Sequence, residues 1–254
     1  MKIGGKQYST KVNVSVSMKL FFIFTFGLFP VLLIAQKEKP ENYKHYDEHF
    51  LHFGFMLGAN KSDFIVYQNV DAYSKNGLIS LTSKSTPGGQ VGIVSTMSLG
   101  TPVVRLRFIP TLSFQERVLN YSFVNPDPKG KPILLEERIG STDLNFPLMF
   151  QFRTLRVNNF AAYLLAGAQF TLDLQSLEKA SQNTVDPFIK IKKKDYEGQI
   201  GAGVEFFAPY FKLGIEVKYS TGFNNSFIQD NTEISKPIDK LINNTLWFSF
   251  IFEG

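Results

Sequence analysis

Three histidines, His45, His49 and His52, are the whole supply of imidazole in this chain, and they fall at spacings of four and three residues. Such spacing could set them on one helical face as metal ligands, or offer a general base to a serine. The first use lacks further ligands beside them, and the second lacks its partner, because no G-x-S-x-G motif occurs. With no cysteine in the chain, thiolate nucleophiles, disulfides and cysteine metal sites are excluded. Glu136, Glu137 and Asp143 are close in sequence, but they lie in a loop and at a strand start, where paired acids read as solvated surface. Gly88-Gly89 follows Pro87 as a turn, and Gly201-x-Gly203 lies inside an alternating segment, so neither is a phosphate-binding loop. The expectation is a chain that is not an enzyme, with no catalytic residue, no cofactor and no metal. The histidine stretch reads as a solvated linker.

What positions residues in this chain is read from composition first. Of 254 residues, 26 are Phe and 10 are Tyr against one Trp, a bias toward residues that favour strands and membrane interfaces. The net charge of +5 comes from Lys2, Lys6, Lys11 and Lys19, which precede the first acidic residue, Glu38; without those four the balance is 23 basic to 22 acidic. The body of the chain therefore has no basic face, and nucleic acid is excluded as a partner.

From Met18 the sequence runs Met18-Lys19 and then an uncharged apolar stretch, Leu20 to Ala35, the layout of a secretory signal peptide. This run is short of the ~20 residues a spanning helix needs, and Pro30 interrupts it. The expected organisation is a signal peptide over 1–35, with 1–17 an over-extended start and Met18 the initiator, a flexible periplasmic arm over 36–49, and a barrel over 50–254. With no second apolar run of helical length, residence in a membrane requires a barrel.

Period-two alternation carries that barrel. Phe211, Leu213, Ile215, Val217 and Tyr219 take one face, Lys212, Gly214, Glu216 and Lys218 the other. Leu144, Phe146, Leu148, Phe150 and Phe152 repeat the pattern, as do Leu246, Phe248, Phe250 and Phe252. The expected fold is all-β: an eight-stranded antiparallel outer-membrane barrel with strands over roughly 51–60, 89–99, 102–116, 142–153, 159–173, 196–208, 210–221 and 244–253. Short links (Gly100-Thr101, Thr154 to Asn158, Pro209) alternate with links of about twenty residues or more, which matches periplasmic turns and extracellular loops.

Eight strands also fit a soluble barrel with an apolar lumen. Glycine decides between them: Gly54, Gly58, Gly92, Gly167, Gly201, Gly203 and Gly214 share the polar face, and a narrow interior needs small residues inside and bulky apolar ones against lipid. On this reading Arg105, Arg107, Arg153, Asp173, Glu197, Glu205, Lys212, Glu216 and Lys218 point into the lumen as a mutually paired network, with no water-filled pore. Tyr163, Tyr196, Tyr210, Tyr219 and Trp247 suit interfacial girdles. The loop from Phe223 to Lys240 carries Phe227, Ile228, Ile234 and Ile238, apolar enough to be an exposed contact for a protein partner.

The wording of the strands carries a resemblance. Arg105 to Arg117 (RLRFIPTLSFQER), Asn145-Phe146-Pro147-Leu148, Asn158 to Gly167, and the hairpin from Gly203 to Tyr219 resemble the PorT/SprT family of Bacteroidota, over most of residues 50 to 254. The resemblance implies an outer-membrane component of type IX protein secretion, and of gliding motility where present, working by contacts with other outer-membrane and periplasmic secretion components. The alternative is a generic small barrel of OmpA or OmpX architecture that serves envelope stability or adhesion. Both place the chain in the lipid bilayer of a Gram-negative outer membrane.

Overall fold

The structure is a computed structural model, and it describes residues 41–127, 129–178, 180 and 188–254. The expected signal peptide and the first residues of the expected arm lie outside the described residues.

Eleven strands follow in chain order: β1 Leu51–Gln68, β2 Leu78–Ser98, β3 Val104–Phe108, β4 Thr111–Phe123, β5 Ile133–Arg153, β6 Phe160–Asp173, β7 Lys190–Ile191, β8 Lys194–Phe207, β9 Lys212–Gly222, β10 Phe227–Ile228 and β11 Ile238–Glu253. All pairings are antiparallel; around the wall β2 is followed by β3 and β4, then β5, β6, β8, β9 and β11, and β1 pairs with both β2 and β11, which closes the ring. β3 and β4 share one place between β2 and β5 and are parted at Ile109-Pro110, where proline has no N–H to give the ladder. The wall therefore has eight places. β7 and β10 form a separate two-stranded sheet in the loops.

Closure on one side is by tight turns. Gly100 at φ 74° and Asn158 at φ 54° take the left-handed conformation that two of these turns require. On the other side the strands run well past the expected ends: β1 continues to Gln68, β2 begins at Leu78 and β11 at Ile238. Much of what read as long loop is thus hairpin, continuing the ladder above the membrane with a one-turn helix, α1 Ala72–Asn76, at one tip.

The expected faces hold through the lower wall. Phe53, Phe55, Phe114, Leu148, Phe150, Phe152, Leu164 and Ile200 are exposed on the outside, where lipid covers them. Inside, room is made by glycine where a large side chain must fit: a Cβ on Gly203 would lie 2.4 Å from the Tyr163 ring. Tyr163 is therefore a lumenal residue, and so is Trp247, whose indole N–H donates to Ser220 at 2.9 Å. Both correct the girdle expectation, since each sits one residue from its outward neighbours Ala162 and Leu246 and takes the opposite face. Tyr196, Tyr210 and Tyr219 are exposed.

Two further expectations are corrected here. Phe227, Ile234 and Ile238 are buried, and Ile228 is half-buried in the small sheet. Phe227, Ile234 and Ile238 pack with Phe64, Leu78, Leu81, Leu119, Tyr121, Ile139, Ile189 and Leu241 into one apolar cluster above the lumen. The apolar loop is the core of an extracellular cap and not an exposed contact, because apolar side chains outside the bilayer gain most by covering one another. Of the stretch expected to be a free arm, Lys44–Glu48 form a turn of 3-10 helix with Tyr46 fully buried.

Candidate functional site

All nine residues expected in the lumen are buried, at 5% exposure or less. Alternation along β3, β5, β8 and β9 aims Arg105, Arg107, Arg153, Glu205, Lys212, Glu216 and Lys218 inward, and ladder register brings them to one level. Arg107 stands 2.8 Å from Glu216, 3.8 Å from Glu205 and 3.9 Å from Glu253. Lys212 pairs with Glu205 at 2.9 Å and also with Glu253, and Lys218 holds Glu216 at 2.9 Å. Gln151 donates to Glu205 at 2.8 Å and Tyr163 to Glu216 at 3.0 Å, with the Arg107 guanidinium 5.2 Å from the Tyr163 ring. A buried ion is tolerable only with such partners and hydrogen bonds around it.

The upper lumen has a different make-up. Arg117 donates to Gln115 at 2.5 Å and to Ser141 at 3.1 Å, and lies 4.0 Å from Asp143. Asp195 accepts from Ser226 and Asn243, at 3.0 and 2.6 Å, and Glu197 accepts from Thr171 at 3.4 Å. Asp173 caps its own strand end, accepting from the backbone N–H of Gln175 at 2.8 Å. Here amides and hydroxyls replace cations as partners: Asn145, Ser113, Gln169 and Gln199 run between the carboxylates. Glu253, Arg117, Asp143 and Asp195 belong to the interior although sequence reasoning did not place them there. The alternation could have found them, since Glu253 is the inward neighbour of Phe252 and Arg117 follows Ser113 and Gln115.

At the periplasmic mouth the chain adds two residues that no strand period could reveal. The Tyr46 ring stacks on His52, centroids 3.8 Å apart, and meets Phe207 edge-on at 5.5 Å. Asp47 lies 2.5 Å from Arg105 and accepts two bonds from Arg153, at 2.7 and 3.0 Å. Partial burial alone would raise the Asp47 carboxyl; the hydrogen bond and charge of Arg153, with Arg105 beside it, outweigh that and hold it below the usual carboxylate range.

The three histidines do not gather into one site. His52 is buried beneath Tyr46 with the His49 ring edge-on to it at 6.2 Å, whereas His45 is exposed and pairs with Glu48 at 2.9 Å. Nor do the acidic neighbours: Glu136 pairs with Arg138 at 2.6 Å on the outside, Glu137 accepts from the Ile189 backbone at 3.2 Å, and Asp143 faces the lumen.

With this geometry in hand the chain can be set beside known proteins. The model of a family described as "Outer membrane protein beta-barrel domain" matches residues 34–228. No curated protein matches. Among solved structures the chain is similar to the outer membrane protein OprG from Pseudomonas aeruginosa, at 13% identity and TM-score 0.42, over 80% of this chain and 93% of that one. It is also similar to the outer membrane enzyme PagL, at 12% identity and TM-score 0.33, over 76% and 97% of the two chains. LpxR from Salmonella typhimurium aligns at 8% identity and TM-score 0.25, over 76% and 99%. The expectation that the chain is not an enzyme is corrected on this point: PagL is itself described as an enzyme, so a small outer-membrane barrel gives no ground for excluding catalysis. The PorT/SprT resemblance is met only at the wider level of outer-membrane barrels. By the match of its family model across most of its length, the chain belongs to the outer membrane protein beta-barrel domain family.

Proposed function

We propose that this protein is a small, sealed outer-membrane barrel that works through its surfaces, stabilising the envelope or presenting its extracellular cap for adhesion. The observation that carries this reading is the filled interior: Arg107, Glu205, Glu216, Lys212 and Glu253 meet across the lumen at buried ion-pair distances, leaving solute no path. Support also comes from the cap, whose hairpins rise above the outward apolar band and are packed on their own core. A filled, ion-paired interior makes the wall stiff, and stiffness is what a mount for surface loops needs.

A second reading is kept because specific residues favour it. The strand wording from Arg105 to Arg117 and from Gly203 to Tyr219 resembles PorT/SprT, which would make the barrel a component of type IX secretion. It would act there by contact with other outer-membrane or periplasmic secretion components, and in gliding motility where the organism glides. A signal peptide over 1–35 would deliver the chain to the periplasm in either case.

One deletion strain separates the two. Under the first reading it loses resistance to detergent and bulky antibiotics, or loses surface attachment, while secreted cargo reaches the medium as before. Retention of cargo in cells with an intact permeability barrier would overturn the first reading in favour of the second.

A further inference from the structure

The turn ahead of β1 seats in the wall as a ligand seats in a site. Tyr46 fills a slot between His52 and Phe207, with Arg105 at 5.2 Å and Lys212 at 4.9 Å from its ring, and its hydroxyl donates to Glu253 at 3.4 Å. Two outer bonds steady the turn: the Asn42 N–H donates to Asn159 at 2.7 Å and the Asn42 amide to the Phe207 carbonyl at 3.1 Å.

The charge of the wall explains why something must sit there. Around the mouth the barrel supplies Arg105, Arg107, Arg153, Lys212 and Lys218 against Glu205, Glu216 and Glu253, a surplus of positive charge. Arg105 is fully buried, and among the described residues Asp47 is its one ion-pair partner. Its Nε and Nη1 have no hydrogen-bond partner. Glu205 lies within electrostatic reach of Arg105 but makes no ion pair with it, so the wall leaves this buried guanidinium without a direct carboxylate partner until one arrives from outside the strands.

We propose that the periplasmic mouth is a recognition pocket for an aromatic side chain followed by a carboxylate, occupied in this protein by its own Tyr46-Asp47, and that seating this pair closes the mouth. The pocket reads ring and charge together: His52 and Phe207 offer flat surfaces, and Arg105 and Arg153 offer the fork that takes a carboxylate at two points. Because the pair is tethered, it acts at an effective concentration on the order of millimolar, and a free segment with the same pair competes only in that range. This inference stands apart from the surface role proposed above and does not rest on it.

The absence of cysteine makes the test clean, since a single introduced thiol is the only one to label. His52→Cys places that thiol beneath the Tyr46 ring, and Glu48→Cys, on the exposed side of the same turn, gives the unprotected rate. In the full-length barrel, with heat-shifted migration confirming the fold, the thiol of H52C reacts with a small methanethiosulfonate much more slowly than that of E48C. Adding Asp47→Asn speeds it by about tenfold or more, the equivalent of one charge-assisted hydrogen bond lost. If D47N does not fold, Asn42→Ala loosens the same turn without touching a lumenal charge and moves the rate in the same direction by less. A synthetic peptide of residues 41–49, supplied at millimolar concentration to Y46A/D47N/A161C, whose thiol lies in the cluster of Tyr46 and Phe207 and leaves His52 in place, slows labelling again, whereas a scrambled peptide does not. Equal labelling of H52C and E48C, or no change with either loosening variant, overturns the closed mouth. Failure of the peptide to protect overturns the recognition pocket.

Discussion

The lower lumen and the extracellular cap are built from the same strands on opposite chemistry. Along β4 the inward residues are Thr111, Ser113, Gln115 and Arg117 in the lumen, then Leu119 and Tyr121 in the cap. Along β11, read from its end upward, Glu253, Ser249 and Thr245 give way to Leu241 and, beyond a register shift, to Ile238. Outside, β1 runs from Phe53, Phe55 and Leu57 to Lys61 and Asp63, with Ile65 and Tyr67 exposed beyond them. The alternation runs on up β11 to Leu241, and what faces inward passes from mostly polar to apolar where lipid ends and water begins. In the bilayer the large apolar side chains already have an apolar neighbour outside, so the interior can be polar provided it is paired. Above the bilayer water takes the outside, and the apolar residues turn inward to cover one another.

That comparison can be broken at several points, and the lumen should break hardest. Arg107→Met strips Glu216 of its closest guanidinium and leaves Glu205 and Glu253 short of positive charge, at a cost of about 3–5 kcal/mol. The variant should lose its heat-modifiable band at a much lower temperature, or not form one. Adding Glu216→Gln should recover part of the loss; a double variant no better than R107M would mean the network is not what holds the lower lumen together.

The lipid-facing wall gives the converse test. Leu148→Arg puts a charge on the outer face of β5, with a penalty of about 2–4 kcal/mol if the site lies near the middle of the bilayer. Refolding yield into vesicles should fall, and an unaffected yield would argue that this face does not meet hydrocarbon. In the cap, Ile238→Ala opens a void in the apolar cluster and should cost about 2–3 kcal/mol, toward the low end for buried aliphatics because loops can settle into the space. The effect should be local: faster proteolysis of the cap hairpins while the heat shift of the barrel is unchanged.

The smallest effect is that of pH at the mouth. The carboxyl of Asp47 is held low by Arg153 and Arg105 against the effect of burial, with Arg156 nearby, Glu205 on the facing wall and Tyr46 beside it in the turn. A group depressed on seating contributes stability that is fully present above its unseated pKa, ~3.9. That contribution is lost as pH falls through the lower, seated value. Tyr46 ring resonances in micelles should therefore hold from about pH 6 down to about pH 4 and shift toward free-tyrosine positions only below that. Release already at neutral pH would mean that Asp47 is not the latch.

Much of this was legible in the residues. Period-two runs such as Phe211 to Tyr219 name strands, their faces and their number, because a pleated strand turns successive side chains to opposite sides whatever surrounds it. Glycine on the polar face gives the direction of the barrel, and Arg105, Glu205 and Lys212 follow as lumenal from the same rule. The rule also reaches Tyr163 and Trp247, which an appeal to girdles placed on the wrong side.

The sign change at the membrane boundary lay beyond a one-dimensional pattern, since Ile234 and Ile238 alternate or cluster in the same way whether they cover a core or meet a partner. Only the packed hairpins decide that, by showing water on their other face. Nor could the sequence join Asp47 to Arg105 and Arg153, which are distant in the chain and share no period. Their meeting follows from closure, as β1 pairs with β11 and brings the turn ahead of the first strand over the end of the last. Composition and alternation fix what each strand can bury. The ring decides which charges meet inside it, because an ion in a narrow lumen is stable only beside the partners that closure brings within reach.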